Sequence, residues 1–303
     1  MKKRIVGLGE VLWDILPERT YLGGAPANFA YIANLLVNDG IVASRVGADA
    51  LGAQTRPRME SLGLALGFIQ SDEEHPTGTA KAQIDANGQA RFEIAAPAAW
   101  DFLAWTAPWQ QLAEQTDAVC FGSLAQRSAT SRATIRQFLR AMRTEAVRVF
   151  DVNLRQSYYS QEILSESMRL ADIVKLNDEE LSEIMKLGNL DPTDEKASAE
   201  RLLSLYDLKL VCVTRGSRGS LLVSRQGTDE HPGFRVKVAD TIGAGDAFTA
   251  GLVHEYLRGA CLQRLNEVAN RVGAWVASEV SATPEPKQSS LEASLMEISA
   301  KGG

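Results

Sequence analysis

A chain of 303 residues, 45% hydrophobic and 23% charged, suffices for one large domain or two small ones with a sizeable core, which excludes a disordered chain. A net charge of −6 and a pI near 5.3 exclude a generic nucleic-acid binder, yet a nest of backbone N–H groups can hold a small anion even in an acidic protein. No apolar run reaches the ~18 residues of a membrane span, and three scattered cysteines, Cys120, Cys212 and Cys261, read as free thiols in a reducing, cytoplasmic compartment.

Lys2-Lys3-Arg4 starts like a secretory signal, but Gly7, Gly9 and Glu10 break the apolar run behind it. Residues 5–8 are therefore expected to form a buried first strand. Gly7-Leu8-Gly9 begins a dinucleotide fingerprint whose third glycine would fall at Leu12, which weakens a Rossmann reading. Asp14 is either a solvated turn residue or a carboxylate that accepts hydrogen bonds from polyol hydroxyls. Gly23-Gly24-Ala25-Pro26-Ala27-Asn28 opens a helical pattern of Phe29, Ile32, Ala33, Leu36 and Val37. In its first turn Asn28 can cap the backbone or bind a ligand. Residues 41–46 read as a strand, and 47–52 as a turn into a helical segment ending near Leu62. Pro57 should kink or split that segment. Residues 79–94 alternate in polarity about Asn87-Gly88, the signature of a hairpin, and predict a separate small sheet. Trp100, Phe102 and Trp105 then form either a core beneath that hairpin or a ligand pocket.

Beyond this point strands at 118–121, 147–152, 172–176 and 208–213 alternate with helices at 128–145, 195–205 and 262–279, and with a weaker helix at 289–301. Such alternation predicts an α/β fold built on a doubly wound, mostly parallel sheet. In these sheets ligands sit off the carboxyl ends of the strands. Polar clusters at 151–155, 177–180, 214–219 and 240–246 all fall at such ends.

The stretch 240–251 carries the most chemistry. Phe234, Val236 and Val238 alternate with polar or small residues and predict a strand before it. Ala247, Phe248, Val253, Tyr256 and Leu257 predict a helix after it, with Arg258 in the last turn and Gly259 as its stop. Gly243-Ala244-Gly245 thus lies at a helix start, where bare N–H groups and the helix dipole favour an anion. Asp246 either stabilises the helix start or acts as a general base beside a phosphate. No Walker A motif and no protein-kinase signature is present.

Asp240-Thr-Ile-Gly-Ala-Gly-Asp246-Ala-Phe-Thr-Ala-Gly251 resembles the second signature of the ribokinase-like (PfkB) carbohydrate kinases, and 23–28 resembles their first. Val46-Gly-Ala-Asp49-Ala-Leu-Gly52 and Asn177-x-x-Glu180 match in order and position. Gly9-Glu10-Val11-Leu12-Trp13-Asp14 and Asp151-x-Asn153-x-Arg155 are most similar to the fructokinase branch. The resemblance implies a single ribokinase-like α/β domain over residues 1–303, with a β lid formed by segments near 11–25 and 79–94. It implies an ATP-dependent kinase for a sugar, D-fructose first, with ribose, 2-keto-3-deoxygluconate or a nucleoside as alternatives. A sugar or nucleotide sensor without catalysis would be expected to have lost Asp246.

By the same resemblance Asp246 is the base, and the backbone of Gly243, Ala244 and Gly245 is the anion hole. Arg155 approaches the phosphates or the sugar. Asp14, Gly23, Gly24 and Asn28 match the sugar contacts. Asn177 and Glu180 organise phosphate and Mg2+ through water. Thr214, Gly216 and Gly219 match the nucleotide loop, and Asn270 lies on the helix beside the adenine. Asp240 and the Ile242 carbonyl match one side of a monovalent-cation loop, which would take K+. Many members also form a homodimer through the lid; no nucleic-acid or membrane partner is implied.

Overall fold

The computed structural model describes residues 2–16, 19–84, 90–190 and 194–286. The strands are β1 (Arg4–Leu8), β2 (Leu12–Ile15), β3 (Thr20–Gly23), β4 (Asp39–Gly47), β5 (Ile69–Asp72), β6 (Gly78–Ile84), β7 (Ala90–Ile94), β8 (Ala118–Gly122), β9 (Val147–Asp151), β10 (Ile173–Asn177), β11 (Leu210–Thr214), β12 (Ser220–Ser224) and β13 (Gly227–His231). The helices are α1 (Ala25–Leu35), α2 (Ala50–Ser61), α3 (Ala107–Gln115), α4 (Ala129–Ala141), α5 (Gln161–Leu170), α6 (Asp178–Leu187), α7 (Glu195–Leu205), α8 (Ala244–Tyr256) and α9 (Leu262–Ala277).

The large sheet runs β13-β12-β11-β10-β9-β8-β1-β4-β5, and it is parallel from β11 through β5. Its inner strands are mostly apolar on both faces, as a doubly covered sheet requires. Ile5, Val149, Ile173 and Leu210 pack with α1, α8 and α9 on one side. Their neighbours Val6, Phe150, Val174 and Val211 pack with α3 through α7 on the other. Each such side chain stabilises the fold by roughly 1.5–3 kcal/mol when withdrawn from water. From β1 the order runs outward both ways, to β4 and to β8, so a crevice opens off the carboxyl ends of those strands. A second sheet, β3-β2-β6-β7, is built from two insertions, one between β1 and α1 and one after β5.

Several expectations from sequence need correction. Residues 234–238 form no strand. The sheet edge is closed instead by the antiparallel hairpin β12–β13, and after Pro232 the chain leaves the sheet, with the Ala239 N–H bonding the carbonyl of Ala277 at the end of α9. Pro57 does not split α2, which runs unbroken from Ala50 to Ser61; Asp49 caps it by accepting from the Gly52 N–H at 2.8 Å. The helix expected over 128–145 ends at Ala141, although Ile135, Leu139 and Met142 are buried as anticipated. Helix α5 was not anticipated; Ser160 caps it through the Ile163 N–H. The aromatic cluster divides into core roles. Trp100 is fully buried under the Arg127 guanidinium, Trp105 packs edge-on against Phe138, and Phe102 stacks on His75. Both β6 and β7 are present as a hairpin pair, whereas its turn at Asn87-Gly88 and the tail helix expected at 289–301 lie outside the described residues. Cys120 and Cys212 are buried free thiols, and Cys261 is exposed. No helix among the described residues is long and apolar enough to cross a membrane.

Candidate active site

The carboxyl ends of β8, β9 and β10, the start of α1 and the start of α8 converge on one edge of the large sheet. A narrow cleft there is lined by Pro26, Phe29, Cys120, Gly122, Asp151 and Asp246, among others. A larger hollow of about 590 Å³ lies at the opposite edge, beside Leu208, Tyr256 and Cys261. Its cations are already paired, Lys209 with Asp172 and Arg225 with Asp207, so the converging chemistry belongs to the first edge.

Gly243 caps the start of helix α8, and its φ of +79° favours glycine. A side chain at this position would also strike Ala282, with Cβ atoms 2.4 Å apart. The N–H groups of Gly243, Gly245 and Asp246 meet no acceptor among the described residues, while that of Ala244 bonds the Thr241 carbonyl at 3.2 Å. Open N–H groups at a helix start form an anion site. Asp246 stands in this turn, and its Oδ2 accepts from Asn28 Nδ2 at 2.8 Å. The residue is half-buried. Burial, reinforced by the charge of Asp151, lifts the Asp246 pKa to about 7, against the opposing pull of Asn28, Lys175 and Arg155. A carboxylate tuned near neutrality suits proton abstraction.

Two further carboxyls share this environment. Asp14 on β2 is pushed up to about 6 by burial, opposed by Arg155 and reinforced by Asp240. Glu10 follows β1, is 3% exposed, and has one carboxyl oxygen, Oε2, without a hydrogen-bond partner. Burial raises its pKa to about 7. Arg155 is exposed at the rim, and its charge acts on Glu10, Asp14 and Asp246 alike. Glu10 escaped the sequence reading because an acid just past an apolar strand gives no sign of its depth. Gly23 ends β3 opposite Leu12, and Gly24 caps α1 by accepting from the N–H groups of Ala27 and Asn28. Asp14, Gly23, Gly24, Asn28 and Asp246 therefore stand around one cleft edge.

Asn177 and Glu180 form a reciprocal cap on α6: the Glu180 N–H bonds Asn177 Oδ1 at 2.7 Å, and the Asn177 N–H bonds Glu180 Oε2 at 2.8 Å. The other oxygen, Oε1, accepts from the Leu154 N–H at 2.8 Å and so fixes the loop that presents Arg155. A magnesium ion keeps several waters and needs only one or two protein carboxylates beside substrate phosphates. Glu180 fits that water-mediated role, and among the described residues no cluster of three His, Cys, Asp or Glu side chains forms a dedicated metal cage. Thr214 ends β11 beside Asn177, followed by the Gly216–Gly219 turn. Asn270 is nearly buried, with Nδ2 donating to Ser220 Oγ, Asn266 O and Asn266 Oδ1 at 2.7–2.9 Å. That amide nitrogen holds α9 to β12. Asp240 Oδ1 accepts from the Ile242 N–H at 2.9 Å, and the facing segment carries Ser281 at φ +110°.

The model of the pfkB family of carbohydrate kinases matches residues 18–288. The chain belongs to this family. As a PfkB carbohydrate kinase it is 31% identical to a fructokinase of Salmonella typhimurium over 84% of each chain, and 29% identical to a fructokinase of Escherichia coli over 96% of this chain and 99% of that one. Its fold is shared with a Xylella fastidiosa fructokinase solved with bound ATP, at a TM-score of 0.85 and 22% identity over 99% of both chains. A ribokinase from Thermotoga maritima matches with a TM-score of 0.78 and 20% identity over 99% of this chain and 100% of that one. The expected ribokinase-like α/β architecture is therefore present.

Proposed function

We propose that this PfkB kinase transfers the γ-phosphoryl group of ATP to a primary hydroxyl of a small sugar, D-fructose in the first instance. The observation that carries the reading is Asp246, a carboxylate with its pKa raised to about 7 and held by Asn28, in the same helix turn as unoccupied backbone donors. Phosphoryl transfer asks the protein for positioning and charge stabilisation more than for covalent chemistry. Asp14, Gly23, Gly24 and Asn28 hold the sugar, and the small sheet closes over it and limits water. The sugar oxygen attacks the γ-phosphorus, its proton passes to an Asp246 carboxyl oxygen, and the bond from the γ-phosphorus to the bridging oxygen breaks to release ADP. The N–H groups of Gly243, Gly245 and Asp246 donate to the transferring group, and Arg155 adds positive charge at the rim. Bound Mg2+, held through water by Asn177 and Glu180, would supply charge neutralisation on the phosphates. Thr214, Gly216, Gly219 and the Asn270 region would hold the nucleotide, and Asp240 with the Ile242 carbonyl would hold K+. Pairing of two copies through the small sheet belongs to the same reading.

Fructose leads because the fructokinase-like motifs at 9–14 and 151–155 stand at this site, and because fructokinases recur among the relatives. ADP release measured with purified protein across fructose, ribose, 2-keto-3-deoxygluconate and nucleosides, with Mg2+ and with or without K+, tests it. Highest kcat/KM on fructose is expected. Preference for another acceptor would overturn the sugar assignment, and no turnover on any acceptor would favour a sensor.

A further inference from the structure

The buried apolar run of β10 is interrupted at its third residue, Lys175. Its side chain is 8% exposed, and Nζ lies 3.0 Å from Asp151 Oδ1 at the end of β9. The other Asp151 oxygen accepts from Thr249 Oγ1 at 3.0 Å, one turn down α8 from Gly245. The same hydroxyl lies 3.0 Å from the Gly245 carbonyl. Gly245 leaves just enough room for the ammonium: a Cβ there would sit 3.0 Å from Lys175 Nζ, with no backbone in the way. A buried cation thus rests against the first turn of α8. That end of a helix already carries positive charge, so a lone ammonium there is disfavoured. The ammonium is held charged by Asp151, in direct contact, and by the more distant charges of Glu180 and Asp246.

We propose that the Lys175–Asp151 ion pair, with Thr249, is a positioning device of the phosphoryl-transfer site that pins the first turn of α8 to the sheet and sets the charge felt by Asp246. This deepens the reading of Asp246 as base and rests on it. Lys175 is the nearby cation beneath Asp246, and Asp151 is the anion that partly cancels it. The other groups around Asp246 are Glu10 after β1, Cys120 on β8 and Arg155 after β9. Around Lys175 stand Asp151, Glu180 on α6, Cys212 on β11 and Asp246. Lys175 favours the ionised form of Asp246 and Asp151 opposes it, so removing either charge has opposite consequences.

The test compares Lys175→Met and Asp151→Asn with the unaltered protein by two readouts. The first is the carboxyl titration of Asp246 in ligand-free protein by 13C NMR of labelled aspartate, the signal being the one missing from Asp246→Asn. The second is the acidic limb of kcat/KM, in which the ionisation of ATP is common to all variants. Lys175→Met should move both upward by about half a pH unit or more, and Asp151→Asn should move both downward. Should Lys175→Met fail to fold, Asp151→Asn still tests the direction. A limb and titration that stay in place in the folded variants would leave a merely structural ion pair and overturn the proposal. Full turnover by Asp246→Asn would instead remove the base on which the proposal rests, so the two failures are distinguishable.

Discussion

Asn28 in the first turn of α1 and Asp246 in the first turn of α8, separated by 218 positions in sequence, meet through a 2.8 Å hydrogen bond from Nδ2 to Oδ2. The two helices pack side by side on one face of the sheet, so the contact joins the two motifs on which the family resemblance rests. It also opposes the upward push of burial on the Asp246 pKa.

Asn28→Ala should therefore move the acidic limb of kcat/KM upward from its expected position near pH 7. Below the limb each pH unit costs tenfold, and a hydrogen bond to a charged group is worth roughly 1.5–3 kcal/mol. A loss of about tenfold or more at pH 6 is expected, with a smaller loss at pH 8 and an unchanged KM for ATP. Parallel pH profiles for variant and parent would show that Asn28 acts on the sugar alone. Asp246→Asn should lower kcat by roughly 10²–10⁴ above pH 7, with the gap narrowing below it where the parental base is itself protonated, and leave sugar binding largely intact, as measured by calorimetry.

Glu10 gives a prediction about stability. Its folded-state pKa is raised from 4.5 to about 7 by burial, so the folded protein binds its proton more tightly than the unfolded chain does. The stabilising proton is fully in place below about pH 4.5, and its contribution is lost as pH rises toward and through 7. Glu10→Gln removes that loss. Relative to the parent it should be more stable at pH 8 than at pH 5 by a few kcal/mol, on the order of 3, since each pKa unit corresponds to about 1.4 kcal/mol. Urea unfolding at the two pH values measures the difference, and equal effects at both would contradict the assignment.

Much of the architecture was legible because parallel strands buried on both faces read as short apolar runs, and because their polar ends are spaced by helices. The helix start at 243–245, with its open N–H groups, was legible for the same local reason: small residues before a helical pattern. What was hidden depends on partners distant in sequence. Lys175 reads as an ordinary charge in Val174-Lys175-Leu176 until the first turn of α8 is laid over it, and nothing local in Gly9-Glu10-Val11 shows that Glu10 ends only 3% exposed. Residues 234–238 alternate like a strand, yet β13 already occupies the sheet edge, and the segment packs Phe234 and Val236 against the α8–α9 side instead. The β12–β13 hairpin was missed because its Arg225-Gln226 turn lacks the usual Asn-Gly or Asp-Gly signal, with Gly227 coming one residue late.

Gly243→Val should damage both folding and activity. The position needs φ near +79°, which a β-branched residue tolerates poorly, and the added Cβ would strike Ala282. Strain of this type costs roughly 1–3 kcal/mol before any clash is counted. Because the same turn presents the open N–H groups, activity per folded molecule should fall by at least tenfold. Gly259→Ala provides the contrast: φ is +73° but nothing lies within 4 Å, so it should lose stability without losing specific activity. Equal specific activity in both variants would mean the 243–245 backbone does not touch the reacting group.

Asp101→Ala tests the core under the small sheet. Asp101 takes two hydrogen bonds from Arg127, at 2.8 Å from Nε and 2.7 Å from Nη2, with both side chains under a tenth exposed. The guanidinium also lies 3.9 Å from the ring centre of Trp100 and 4.5 Å from that of Tyr158, and bonds the Ala95 carbonyl at 2.7 Å. Truncating the acid leaves a buried, uncompensated cation, for which losses of about 3–5 kcal/mol are typical. A lowered urea midpoint with an unchanged m-value is expected, together with near-parental kcat at temperatures where the variant stays folded. The double variant Asp101→Leu/Arg127→Met should recover much of the lost stability, because it removes the orphaned charge while keeping apolar volume against Trp100. Failure of that recovery would mean that the planar guanidinium, stacked between Trp100 and Tyr158, contributes through its shape and hydrogen bonds rather than through its pairing with Asp101.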